Sequence, residues 1–197
     1  MAGVGETEDV ATPVSSAALA HLDRDAADAQ LVDWLRLYNQ CFTGPPWNEP
    51  HRDLVAYRDR IGTHLEHPGL DVWQARSNAG ALLGVAYGWP APAGWPDSDF
   101  YRSLAAGLGP KRATWLREES TFEVAELMVS PLARRSGVGH LLLKALCAHQ
   151  PVSWLATHRE SNAVGFYRRL GWARHGGFTT ASGIPLEVYV ADQSFIS

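Results

Sequence analysis

Cysteine is scarce in this 197-residue chain: Cys41 and Cys147 stand alone, too few for a disulfide framework, and they read as reduced thiols of a cytoplasmic protein. Long apolar runs are absent as well. No stretch reaches the roughly 18 consecutive apolar residues of a spanning helix, so such a helix is excluded. The first residues carry Glu6, Glu8 and Asp9 and lack the apolar core of an export signal, so residues 1–12 are expected to form a mobile tail. Lysine is nearly missing, with only Lys111 and Lys144 among 17 basic residues. The net charge of −4 gives no global positive field that would draw in nucleic acid. Metal-binding spacing is lacking too: His64 and His67 have no further His or Cys at zinc distance and read as a surface pair, so no metal is expected. What remains is an ordinary globular composition, 46% hydrophobic and 19% charged, at the length of one domain expected over residues 13–197.

Hydrophobic periodicity supplies the elements. Leu31, Trp34, Leu35 and Tyr38 recur at helical spacing, predicting a helix over residues 26–41 that Gly44-Pro45-Pro46 stops. Leu54, Tyr57, Ile61 and Leu65 predict a second helix from about residue 50 to Pro68-Gly69. The period then shortens, and residues 70–76 and 81–89 read as a hairpin around Ser77-Asn78-Ala79-Gly80. Residues 90–121, with four prolines and several aromatics, read as a lid or as a loop holding a short helix near Tyr101. A strand over 122–129, a helix from Gly137, a strand over 152–156, a helix ending at Gly171 and a strand over 185–190 complete the chain. That order predicts a mixed α/β (α+β) domain with a partly parallel sheet and no internal repeat.

The sharpest local signal is Arg134-Arg135-Ser136-Gly137-Val138-Gly139, lying between a strand and a helix. Glycines let backbone approach a ligand, and a helix start presents unpaired N–H groups to phosphate oxygens, assisted by arginine. The competing reading is a plain glycine turn with solvated arginines. A dinucleotide fingerprint fails because its third glycine would fall at Leu142, and a P-loop fails because His140 follows Gly139.

Arg134-x-x-Gly137-x-Gly139, after the strand Glu126-Leu127-Met128-Val129-Ser130-Pro131, resembles the acetyl-CoA signature of the GNAT N-acetyltransferases. Asn162-Ala163-x-x-Phe166-Tyr167-x-x-Leu170-Gly171-Trp172 is similar to the family's later helix and following strand, in the family's order and separation. The resemblance spans about residues 122–175 and implies a splayed mixed sheet flanked by helices. It implies acetyl transfer from acetyl-CoA to a primary amine by direct attack in a ternary complex. N–H groups from Arg135 through Ser136, Gly137, Val138 and Gly139 to His140, with the Arg134 and Arg135 side chains, would then hold the CoA pyrophosphate. Backbone at Met128 and Val129 would pair with the pantetheine arm, Asn162 would hydrogen-bond it, and Tyr167 would protonate the leaving thiolate. Without the resemblance, Asn162 or Ser161 reads as a helix cap and Tyr167 as a packed core residue.

The amine must lose a proton at neutral pH before it can attack, and a carboxylate, directly or through water, is the usual helper, although some family members use another residue or none. Glu123, preferred by its place in the family pattern, and Glu126, second, are the candidates. Three apart, they belong on opposite faces of a regular strand unless a bulge intervenes. The family places acceptor contacts near Pro45-Pro46-Trp47-Asn48-Glu49. Trp89, Trp95, Phe100 and Tyr101 are candidate pocket walls, and Glu49, Asp97 and Asp99 candidate partners for a cationic amine. An aromatic lid over 90–121 favours a small-molecule acceptor. The alternatives are a catalytically silent CoA-binding module and a protein N-terminal or lysine acetyltransferase; a homodimer is left open by the family's habits.

Overall fold

The computed structural model describes residues 17–49, 54–91, 94–117 and 121–192; the expected tail at 1–12 lies outside them. Seven strands make one sheet in the order β1-β2-β3-β4-β5-β7-β6. They are β1 (Ala17–Leu22), β2 (Asp71–Ser77), β3 (Leu82–Pro90), β4 (Thr121–Val129), β5 (Val152–His158), β6 (Ala173–Thr179) and β7 (Pro185–Asp192). Every neighbouring pair is antiparallel except β4 and β5, which run parallel. The helix between those two, α6 (Val138–Cys147), supplies the crossover that a parallel pair requires.

Helices cover both faces, which is why β3 is buried along nearly its whole length. On one face, Leu142, Leu143 and Leu146 of α6 and Tyr167 of α7 (Ala163–Arg169) pack on Ala86, Phe122, Val124 and Leu155. On the other, α1 (Arg24–Asp28), α2 (Leu31–Phe42) and α3 (Leu54–Leu65) bring Trp34, Leu37, Tyr38, Tyr57 and Ile61 onto Val85, Tyr87, Trp89 and Met128. Leu155 belongs to the first core and its neighbours Trp154 and Ala156 to a third. Strand alternation therefore sets that third core, under α4 (Asp99–Leu108) and α5 (Pro110–Trp115), on the same face as α1–α3.

Several expectations change. The helix expected over 26–41 is two helices: Asp23 caps α1 by accepting from the Ala26 N–H at 2.8 Å, and the chain turns at Ala29-Gln30 before α2. Over residues 94–117 the expected short helix near Tyr101 is present as α4, and the segment is a packed layer rather than a lid. Ser98 caps α4, Pro110 opens α5, and α4 lies against β6 so closely that a Cβ on Gly107 would come within 2.3 Å of the Phe178 Cβ. Trp95, Phe100 and Tyr101 pack on one another and on Phe178 in this layer. Trp89, also expected to wall a pocket, is 2% exposed, with the His67 ring stacked on it and the His64 ring edge-on. The two histidines thus hold a core tryptophan and are not a free surface pair.

Candidate active site

The parallel pair is short. β4 and β5 share register only from Thr121↔Val152 to Glu123↔Trp154, and both strands continue well beyond it. Among the described residues, the β4 edge from Val124 to Val129 that faces β5 has no strand partner, and neither has the β5 edge from Leu155 to His158 that faces β4. The sheet therefore opens into a V at the carboxyl ends of its parallel strands, where α/β sheets take ligands. Backbone polar groups along such an edge await a partner in the manner of an added strand. Met128, with its side chain buried, and Val129, half-buried, lie on the open side, and the Val129 carbonyl accepts the Cys41 thiol at 3.4 Å.

At the mouth of the V the chain makes a single 3-10 turn (Pro131–Ala133) and then a tight loop into α6. Arg135 has φ 63° and Gly137 φ 89°, left-handed values that glycine adopts at little cost. Gly137 is the N-cap, and the Val138, Gly139 and His140 N–H groups that follow have no intrahelical acceptor. Arg134, Arg135 and Ser136 are exposed around them, and the Ser136 hydroxyl donates to the Ala133 carbonyl at 2.6 Å. Gly139 serves packing too: a Cβ there would stand 3.3 Å from the Phe166 ring of α7. The arrangement is an exposed anion cradle at the positive end of a ten-residue helix.

Both glutamates face the α1–α3 side. Glu123 pairs with Trp89 and Glu126 with Tyr87, two residues apart on β3, because Ala125 is an extra residue in β4. This bulge brings onto one face two carboxylates whose spacing in a regular strand would separate them. A close approach accompanies the bulge, since a Cβ on Gly88 would lie 2.0 Å from the Glu123 carbonyl oxygen. Glu123, 5% exposed, accepts from the Tyr101 hydroxyl at 2.9 Å. Burial pushes its carboxyl up to about 7, with the Tyr101 bond pulling the other way. Glu126 is half-buried and reaches about 7 by the same desolvation, which the Arg60 cation opposes and Glu49 reinforces. Arg60 lies over the Tyr57 ring and donates to the Tyr38 hydroxyl at 3.1 Å, and Tyr38 in turn donates to Glu49.

Tyr167 is 6% exposed among Phe166, Trp172 and Tyr189, and burial, then the Glu126 charge, raises its hydroxyl above the ordinary range. Asn162 is exposed and makes no capping bond; the Ser161 hydroxyl accepts from the Ala163 N–H at 3.2 Å instead. That leaves the Asn162 amide facing a cleft of about 490 Å³, which Pro45, Pro46, Asn48, His158, Glu160 and Pro185 also line. Asp97 and Asp99 do not line it, and both pair with Arg102 of α4. Sequence reasoning missed His158, Glu160 and Arg60, which belong to no motif. It also missed the Tyr101–Glu123 bond, because Ser98 three residues before Tyr101 signals a helix start but not the strand that the helix packs on. Among the described residues no group of three or more His, Cys, Asp or Glu is placed to hold a metal.

Residues 105–174 match the family model described as an acetyltransferase (GNAT) domain. Over 103 residues the chain is 37% identical to a GCN5-like protein acetyltransferase of Mycobacterium tuberculosis, an alignment covering 49% of this chain and 50% of that protein. The chain thus spans about half the length of that curated relative. An acetyltransferase of the GNAT family from Desulfovibrio desulfuricans has the same fold, with TM-score 0.60 at 14% identity, over 90% of this chain and 99% of that one. The ribosomal-protein-S18-alanine N-acetyltransferase of Escherichia coli aligns at TM-score 0.59 and 12% identity, over 90% and 94%. A spermidine/spermine N-acetyltransferase of Vibrio cholerae aligns at 0.55 and 14%, over 91% and 95%.

Proposed function

We propose that this chain is a GNAT acetyltransferase and that it transfers an acetyl group from acetyl-CoA to a primary amine of a small molecule by direct attack in a ternary complex. The observation that carries the reading is the V between β4 and β5, with an anion cradle at its mouth and two carboxylates poised near neutrality inside. Acetyl-CoA supplies an activated thioester. The 135–140 N–H groups, with Arg134 and Arg135, hold its pyrophosphate, the open β4 edge at Met128 and Val129 pairs with its pantetheine arm, and Asn162 hydrogen-bonds that arm. The backbone N–H near Val129 polarises the reacting carbonyl.

Glu126 takes the amine's proton. It is the less buried carboxylate, whereas Glu123 is shut in and already engaged by Tyr101. A carboxylate near 7 is half in its basic form at neutral pH and is a stronger base than an ordinary one. Tyr167, which keeps its proton well above neutrality, gives it to the departing thiolate. We read residues 13–197 as one such domain acting in the cytoplasm; among the described residues no helix is long and apolar enough to cross a membrane.

A protein amine as acceptor is the second reading. The related mycobacterial chain bears the name of a protein acetyltransferase, and the lid that favoured a small acceptor is instead a packed pair of helices. Release of free thiol from acetyl-CoA, followed over a panel of small amines and peptides, tests both. Release that depends on an added amine supports the enzyme, and the better class of amine selects the acceptor. Donor binding without release for any amine would leave the silent CoA-binding module.

A further inference from the structure

His158 sits at the end of β5, 7% exposed, on the wall of the cleft that Asn162 and the 45–48 turn also line. Its alternation with Trp154 and Ala156 sets it on the glutamate face of the sheet. Two contacts fix the ring. Trp47 meets it edge-on with centroids 5.5 Å apart, and the Glu160 backbone N–H donates to Nδ1 at 3.1 Å. Because Nδ1 is an acceptor in that bond, the proton of the neutral ring is on Nε2. Among the described residues no hydrogen-bond acceptor meets Nε2. A nine-tenths-buried side chain on the cleft wall thus carries one N–H donor without a protein partner and, in this tautomer, no base.

We propose that this N–H recognises an oxygen of the acceptor substrate, so that the acceptor is an amine with a carbonyl close by, as in an amino-acid amide or a peptide, rather than a bare alkyl amine. This rests on the acetyl-transfer reading and refines it. The glutamate face takes the ammonium end, and the His158 N–H, on the cleft wall beside Glu160, takes the carbonyl. Three prolines around the cleft, Pro45, Pro46 and Pro185, offer no N–H of their own that could replace it.

The test pairs an amino-acid amide with the alkyl amine that lacks its carbonyl, in the wild type and in His158→Phe and His158→Gln. The preference for the amide, as a ratio of kcat/KM values, is compared between proteins so that the amines' own basicities cancel. The expected result is a roughly tenfold loss of preference in His158→Phe, recovery in His158→Gln, which keeps an N–H donor, and an unchanged KM for acetyl-CoA. An equal preference in wild type and His158→Phe would overturn the proposal. Calorimetric titration of the same two amines in the presence of CoA separates this inference from the catalytic one. A binding preference lost in His158→Phe without any turnover sinks acetyl transfer and upholds His158, whereas no binding of either amine overturns His158. Should the variants fail to fold, wild-type ring nitrogen shifts decide. An Nε2–H tautomer whose shift moves with the amide alone upholds the assignment, and an Nδ1–H tautomer contradicts it.

Discussion

At the scale of single residues, the two β4 glutamates, of which Glu126 is proposed as the base, show what spacing conveys and what it omits. Glu123 and Glu126 were legible as the carboxylates of the motif strand. Their shared face was not, because the bulge at Ala125 depends on how closely β4 approaches Gly88 of β3, a partner that no local pattern identifies. Their raised pKa values have consequences of opposite kind. For Glu126, the basic form grows as pH rises through about 7, so kcat/KM should climb across that range. Glu126→Gln should lower the rate about 100-fold or more and flatten the climb, measured by thiol release against pH. A full climb surviving in that variant and disappearing in Glu123→Gln would transfer the base to Glu123.

For Glu123 the consequence is stability. Its folded pKa of about 7 lies above the ordinary 4.5, so between these values the native state holds more protons than the unfolded chain. Stability from this group is therefore lost as pH rises through that window, by about 3 kcal/mol at ~1.36 kcal/mol per unit. Glu123→Gln keeps the shape and cannot ionise. It should melt several degrees above the wild type at about pH 8 and level with it near pH 4.5. Equal melting at both pH values would mean that the carboxylate is not desolvated as its burial requires.

Among the elements, the second half of the chain was the more legible. The strand at β4, the glycine turn, α6, β5 and α7 follow from periodicity and from one well-spaced motif. The first half carries weaker signals. The break at Ala29-Gln30 lacks a proline or glycine to mark it, so one continuous apolar stripe passes for one helix. In 90–121 the prolines read as loop, yet Pro110 stands at the opening of α5, where its missing N–H costs nothing. The element prediction concerns the bulge. A Gly88→Ala methyl would meet the Glu123 carbonyl and the Phe122 ring, at 2.0 and 2.6 Å, so β4 must shift. Overpacking of this kind costs ~1–3 kcal/mol, and the melting temperature should drop by several degrees together with most of the activity. Wild-type melting and activity in that variant would show that the bulge does not depend on this approach.

For the whole molecule, the parallel pair that parts beyond Glu123 joins the two halves of the sheet and leaves between them the space proposed as the donor site. A partly parallel sheet was legible from the strand and helix order, whereas the point of parting was not, since it is fixed by where pairing stops. The measurement that tests the account most directly is a thermal melt with acetyl-CoA, with AMP as control, on the wild type and on Gly137→Val. At about 100 times its Kd, a ligand of the native state adds roughly 2.7 kcal/mol, a rise of roughly 5 to 10 °C for a chain of this size. Gly137 has φ 89°, and a β-branched residue there distorts the cradle, so the variant should show little of that rise. A rise with acetyl-CoA alone, lost in Gly137→Val, is the predicted result. No rise at saturating acetyl-CoA, or an equal rise in both proteins, would contradict the assignment of the V and its cradle as the donor site.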